Sequence, residues 1–168
     1  GTLITESFVE APNPERFVTG IAGKCDFSIV TVSKKGLSGA VGTLRAILEV
    51  FENNSIPVAH TPSGIDCISL AMPTEALTPN QYSLLDELRS EIRPDSIQIN
   101  DHIAVIAVVG RKMAFRVGTS GKIFAALGKA GINIRMITQG PEELNIIVGV
   151  DGGDFERAIR VLYDSFVK

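Results

Sequence analysis

The apolar positions of this chain change period several times, and each change marks an element. Residues 26–33, "DFSIVTVS", are short, rich in β-branched side chains and followed by Lys-Lys-Gly, which predicts a strand. After the loop "KKGLSGAVG", Val41, Leu44, Leu48 and Phe51 recur at helical spacing and predict a helix with that stripe inward, ended by "ENNS". Two more strands are expected in "IPVAHTP" and "DCISLAM", separated by a turn at Ser63 and Gly64. Thr78 is placed to cap a second helix whose inward face is Tyr82, Leu85, Leu88 and Ile92, and "SIQIN" after Pro94 reads as a last strand. The order is strand, helix, strand, strand, helix, strand.

The same order recurs. A shift of 76 positions (132 − 56 = 76) lays Val32 on Val108, Val41 on Val117, Gly42 on Gly118, Ile47 on Ile123, Ile56 on Ile132 and Gly64 on Gly140. It also preserves chemical class at Ile29 and Val105, Leu48 and Phe124, and Leu70 and Ile146. A register held that long implies two copies of one supersecondary unit. The second copy runs from "HIAVIAVVG" through a helix near Val117, strands "INIRMITQ" and "ELNIIVGV", and a helix with Phe155, Ile159, Leu162 and Phe166 inward. It lacks the fourth strand, which leaves an unpaired edge of the kind native sheets cover. A spare strand, "RFVTGIA" at residues 16–22, is expected to complete it, so that the first unit is inserted within the second. The predicted fold is therefore α+β: two ferredoxin-like βαββαβ units with helix-backed antiparallel sheets. The expected boundaries are 1–15 for a linker, 23–101 for the first unit, and 16–22 with 102–168 for the second.

Composition narrows the function without naming it. Of 168 residues 45% are hydrophobic, enough for a packed core, and 16 basic against 19 acidic residues leave a net charge of −3 with no basic run. No nucleic-acid partner is expected on that pattern. The longest apolar run, "IAVIAVV", is too short for a bilayer and the N-terminus carries no leader pattern, so the expectation is a soluble cytoplasmic protein with no membrane partner. Cys25 and Cys67 lack CxxC spacing and read as buried reduced thiols, and His60 and His102 lie in no metal-binding arrangement.

The loops carry the candidate chemistry. Gly36, Gly39 and Gly42 are spaced GxxGxxG rather than GxGxxG, and "GTSGK" has Arg116 where a P-loop needs glycine and Ile123 where it needs a hydroxyl. Neither supports a nucleotide site, and no serine has a histidine at a suggestive offset, so no catalytic residue is assigned. A zwitterion fits better. Amides at Ser38, Gly39, Ala40, Val41 and Gly42 would receive its carboxylate, and backbone carbonyls with Asp66 its ammonium. Asp66 reads equally as a solvated turn residue, Leu37 and Met113 as lids or as core. Gln139, Glu143 and Asn145 gather at the matching turn of the second copy, where Asn145 faces either ligand or water.

On "FVTGIAGK", "HTPSGIDCISL", "IAVIAVVGRKM", "KIFAALGKAGINIRMITQG" and "ELNIIVGV" the chain resembles the C-terminal regulatory region of aspartokinases, a tandem of ACT domains, in particular the lysine-sensitive type. The resemblance implies an allosteric amino-acid-binding module: lysine or threonine binds and restrains the aspartokinase that makes aspartyl phosphate. It implies the chain's own kinase domain and a second copy as partners. It also implies no cofactor in this chain, ATP and magnesium being the parent kinase's. The first site it implies comprises Ser38, Gly39, Ala40, Val41 and Gly42 with Ser63, Gly64, Ile65 and Asp66; the second comprises Met113, Val117, Gly118, Gln139 and Gly140. Family members commonly have an Asp where Ala59 and Arg135 stand, and "QGSSEINI" where this chain has "QGPEELNI". The alternative is a small-molecule-sensing or purely dimerising ACT module of another enzyme.

Overall fold

The computed structural model describes residues 18–110, 113, 116–140 and 144–167; the expected 1–15 linker lies outside them. The strands are β1 (Val18–Ser33), β2 (Cys67–Pro73), β3 (Ser96–Gly110), β4 (Ile134–Thr138) and β5 (Asn145–Asp151). The helices are α1 (Thr43–Asn53), α2 (Thr74–Leu77), α3 (Gln81–Glu87), α4 (Thr119–Lys129) and α5 (Phe155–Phe166). All strand pairs are antiparallel, in one five-stranded sheet of order β2-β1-β3-β5-β4.

Two long strands weld the halves together. The expected strand "RFVTGIA", from Val18 on, runs on into "DFSIVTVS" within β1, and "SIQIN" into "HIAVIAVVG" within β3; Arg16 and Phe17 lie outside the described residues. The start of β1 pairs with the end of β3, as in Val18 with Gly110 and Ile21 with Val108. Its end pairs with the start of β3, as in Val30 with Ile99. The strand missing from the second copy is thus supplied by the start of β1.

Each long strand carries one extra residue where the halves meet. Between Lys24 and Phe27 β1 advances three residues while β3 advances two, and the imbalance reverses by Ile29 and Asn100. Asp26 (φ 64) and His102 (φ 58) hold the left-handed backbone of these bulges, and they are partners under the 76-residue shift. Because strand side chains alternate with period two, an inserted residue exchanges the faces of everything beyond it. Ile21 and Cys25 therefore pack on the second core and Val30 and Val32 on the first, odd positions giving way to even ones without a change of sheet face. Both helical layers consequently cover the same face. Ser28, fully buried beside the bulges, is satisfied by Asp101 Oδ1 (2.6 Å) and the Thr74 hydroxyl (2.9 Å).

The helices correct two expected faces. In α1 the buried residues are Ile47, Val50 and Phe51; Val41 precedes the helix and is fully exposed, while Leu44 and Leu48 are 47% and 36% exposed. The stripe read from Val41, Leu44, Leu48 and Phe51 is thus inward only at Phe51. The second helical run starts at Thr74 rather than after Thr78, whose hydroxyl donates to the Thr74 carbonyl. Leu88 and Ile92 of the expected face are buried, together with Leu77 and Leu84, but Tyr82 is 82% exposed and Leu85 only half-buried. The expected strand "IPVAHTP" forms only an isolated bridge from His60 to Ala71, since Pro57 and Pro62 lack ladder donors. In α5 the expected face holds, with Leu162 buried and Phe155, Ile159 and Phe166 packed against the second core.

Both cysteines are free and half-buried. Desolvation, then the charges of Asp26 and Glu156, push the Cys25 thiol above its ordinary pKa, which lowers its reactivity. No helix among the described residues is long and apolar enough to cross a membrane.

Candidate functional site

The loop after each half's first strand has three backbone bonds in common among the described residues. In the first half Ala40 N donates to Leu37 O at 3.3 Å, Thr43 N to Ala40 O at 3.4 Å and Ala46 N to Gly42 O at 3.0 Å. In the second, Arg116 N donates to Met113 O at 3.3 Å, Thr119 N to Arg116 O at 3.4 Å and Lys122 N to Gly118 O at 3.0 Å. Gly42 and Gly118 both sit at φ 83 as the residue before the helix, a conformation that costs a side chain strain but glycine none. The helices begin at Thr43 and Thr119, after the amides first assigned to them. Leu37 and Met113 are 7% and 2% exposed in their respective cores, so their side chains are core rather than lids.

In the first half this loop is latched to the turn that leads into β2. Lys34 N donates to Asp66 O (2.8 Å), Ser38 N to Ile65 O (3.1 Å) and Gly36 N to the Asp66 carboxylate (2.7 Å). Asp95, which the sequence reading passed over, receives Lys35 N at 2.7 Å. With Leu37 N on Lys34 O, Gly39 N on Gly36 O and Ala40 N on Leu37 O, every amide from Lys34 to Ala40 is committed, so those of Ser38, Gly39 and Ala40 are not open to a carboxylate as expected. Ser38, Gly39, Ala40, Val41, Gly42, Ser63, Gly64, Ile65 and Asp66 are all exposed on this one corner. The amides of Val41, Gly42 and Leu44 donate to no backbone acceptor among the described residues, which leaves the mouth of α1 able to receive an anion. Asp66 is therefore neither simply solvated nor wholly free: one oxygen latches the loop and the other faces outward.

The surroundings of this corner are apolar where a surface usually is not. Val41 and Ile65 (78% exposed) flank it, and Leu44 and Leu48 continue the patch down α1. A groove of about 600 Å³ runs along Gly42, Leu44, Arg45, Leu48, Glu49 and Glu52. In the sequence Leu44 and Leu48 compete with Ile47, Val50 and Phe51 for one inward stripe, and the helix is accordingly apolar on two faces.

The second corner differs. Cys67 opposes Ser33 whereas Asn145 opposes Val109, so the shift beyond the turn is 78 (145 − 67 = 78), not 76, and the expected match of Leu70 with Ile146 is displaced. The second turn carries two extra residues. Gly110 N donates to Leu144 O at 2.8 Å as Lys34 N does to Asp66 O, which sets Leu144 in the place of Asp66. Val117 and Gly118 are exposed at the helix mouth and Gln139 and Gly140 lie at the turn, but no hydrogen bond among the described residues joins the two pairs. Glu143 lies outside the described residues.

Comparison with known proteins agrees with this architecture. Residues 106–166 match the ACT domain family. Aspartokinase 3 of Bacillus subtilis is 30% identical over 150 residues, covering 89% of this chain and 33% of that protein. The crystal structure of Clostridium acetobutylicum aspartate kinase, an allosteric enzyme, superposes with a TM-score of 0.87 at 38% identity over 96% of this chain and 36% of that one. A chain of the aspartokinase alpha and beta subunit structure superposes with a TM-score of 0.77 at 29% identity, covering 90% of this chain and 99% of that chain. The chain spans about a third of the Bacillus and Clostridium proteins.

Proposed function

We propose that this chain, which carries an ACT domain and is homologous to aspartokinase regulatory regions, is the amino-acid-sensing module of an aspartokinase and mediates its feedback inhibition by lysine, threonine or both. The observation that carries the reading is the latched first corner, with open amides at the mouth of α1 beside the Asp66 carboxylate. A zwitterion's carboxylate binds the amides of Val41, Gly42 and Leu44, where the helix dipole favours negative charge. Its ammonium binds the outward oxygen of Asp66 and the carbonyls of the Ser63 and Gly64 turn. The second corner, with Leu144 in place of the acid, holds the same class of ligand more weakly or not at all.

The exposed patch of Val41, Leu44, Leu48 and Ile65 supplies the transmission. A second copy packed there places the ligand beside a subunit interface, so occupancy favours one arrangement of subunits over another. Sensing near millimolar concentration takes about 4 to 5 kcal/mol of binding free energy, and inhibition takes a difference between states of about 1 to 3 kcal/mol. The kinase domain, which uses ATP and magnesium, reads that difference; this chain contributes no catalytic group.

Calorimetric titration with lysine and threonine, separately and together, tests the reading. Saturable heat with at least one of them, lost in Asp66→Ala, is expected. The same patch favours a second reading, a purely dimerising ACT module, which gains if neither amino acid binds and dilution still dissociates a dimer.

A further inference from the structure

On the sheet face that no helix covers, the strands curl until the two edges share a cleft of about 410 Å³. One wall is Thr31, Ser69, Gln98 and Asn100; the other is Arg135 with Met136, and Ile29 and Ile103 form the floor. The curl is tight because β5 has glycine at its centre: a Cβ on Gly149 would stand 3.0 Å from Met136 Cβ and 3.3 Å from Ile103 Cγ2. Any side chain there would push β4 and its Arg135 away from β3. The hydroxyls of Thr31 and Ser69 bond each other at 2.9 Å and so keep a polar wall in place.

Arg135 crosses from edge strand β4 to donate to Asn100 Oδ1 at 3.1 Å. Its partner in charge, Asp151, lies at 3.7 Å and is half exposed, too distant for a hydrogen bond, so most of the five guanidinium donors have no acceptor among the described residues. No Asp or Glu lines the cleft. A carboxylate entering it therefore meets a positioned guanidinium, while an ammonium finds no acid among the lining residues.

We propose that this cleft is a second small-molecule site, separate from the corner that senses amino acids, and that it takes a small carboxylate bearing a further hydroxyl or carboxyl group and no ammonium. Arg135, held by Asn100, grips the carboxylate, and Gln98 with the hydroxyls of Thr31 and Ser69 meets the second oxygen function. The cleft draws its walls from both halves of the chain, so its occupancy stiffens one half against the other.

The test is amide NMR of the 168-residue chain titrated with sodium L-malate, against sodium chloride at matched ionic strength. Saturable shifts at Thr31, Gln98, Asn100 and Met136, absent with chloride, are expected. Arg135→Gln should weaken binding at least tenfold with the rest of the spectrum unmoved, and Arg135→Lys, which keeps the charge but loses the fork, should fall between. Shifts that track ionic strength alone, that settle on residues 38–42, or that persist unchanged in R135Q overturn the proposal. A parallel titration with L-lysine reads the corner independently, so either site can fail alone.

Discussion

The two corners of this molecule start from one blueprint and end with different chemistry. Their first loops share three backbone hydrogen bonds among the described residues and have glycines at φ 83 before α1 and α4. The turns that face those loops have diverged. In the first half Asp66 offers both a carbonyl to Lys34 and a carboxylate to Gly36; in the second, two extra residues bring Leu144 to the same backbone bond with no side-chain acceptor to offer. The helices diverge in parallel, for α1 leaves Leu44 and Leu48 exposed where α4 has Ser120 and a Phe124 packed against the core. The backbone that opens amides to solvent is shared, and both corners carry exposed apolar residues, Val41 and Ile65 at one and Val117 and Leu144 at the other, whereas an acid bonded to the loop is described at the first corner only.

The strongest way to break this comparison is to show that the halves are not one body. Phe51→Ala in the first core and Leu127→Ala in the second each remove a fully buried side chain and should cost about 3 to 5 and 2 to 5 kcal/mol respectively. Since β1 and β3 run through both halves, urea unfolding of either variant should stay a single transition, coincident by circular dichroism and by amide signals from each half. Separate transitions would make the halves independent.

Next in size is the acid. Asp66→Asn should weaken lysine or threonine binding at least tenfold, about 1.4 kcal/mol, while Leu144→Asn leaves it unchanged. The same change should cost about 1 kcal/mol of stability as the charge-assisted bond from Gly36 weakens, read as a lower urea midpoint. Equal binding losses from both variants would put the two corners on the same footing and remove the distinction.

Sequence periodicity reached most of the elements and the 76-residue register because both live in patterns that local residues carry, but it counted one strand too many, since "IPVAHTP" forms only an isolated bridge. The same register paired Gly42 with Gly118, whereas Gly64, the glycine expected at the turn, is not among those at positive φ. The continuity of β1 and β3 was hidden because a bulge made by Asp26 or His102 carries no sequence signature, a non-glycine residue at positive φ being held there by the ladder on either side. The face of α1 was misread because Leu44 and Leu48 are as apolar as the residues that are buried, and only a partner distinguishes an outward apolar face from an inward one. At the site, Asp66 was legible as an acid past a glycine turn. Its bond to Gly36 and the companion bond from Asp95 to Lys35 were not, since they depend on distant segments meeting. Leu144 was aligned away from its true counterpart because an ungapped shift cannot see two inserted residues.

A finer test of the shared blueprint is the pair Gly42→Ala and Gly118→Ala. Neither glycine has an atom within 4 Å of where a Cβ would stand, so the penalty is conformational alone, about 1 kcal/mol in each half. Urea midpoints should fall by similar amounts, and only G42A should also weaken the amino acid. A clear inequality in stability would mean that the equal φ angles hide unequal support.

The smallest effect on stability is the sharpest on function. Val41 and Val117 occupy equivalent places, both wholly exposed, so a serine at either should change folding stability by no more than about 0.5 kcal/mol. Folding therefore gives no reason for a valine at either position. If α1 carries the subunit interface, V41S, alone or with Leu44→Ser, should raise the dimer dissociation constant severalfold in sedimentation equilibrium and shift the amino-acid response with it. V117S should do neither. Should both serines weaken association alike, the interface would span the two mouths, and the second corner would regain a place beside a partner even without an acid of its own.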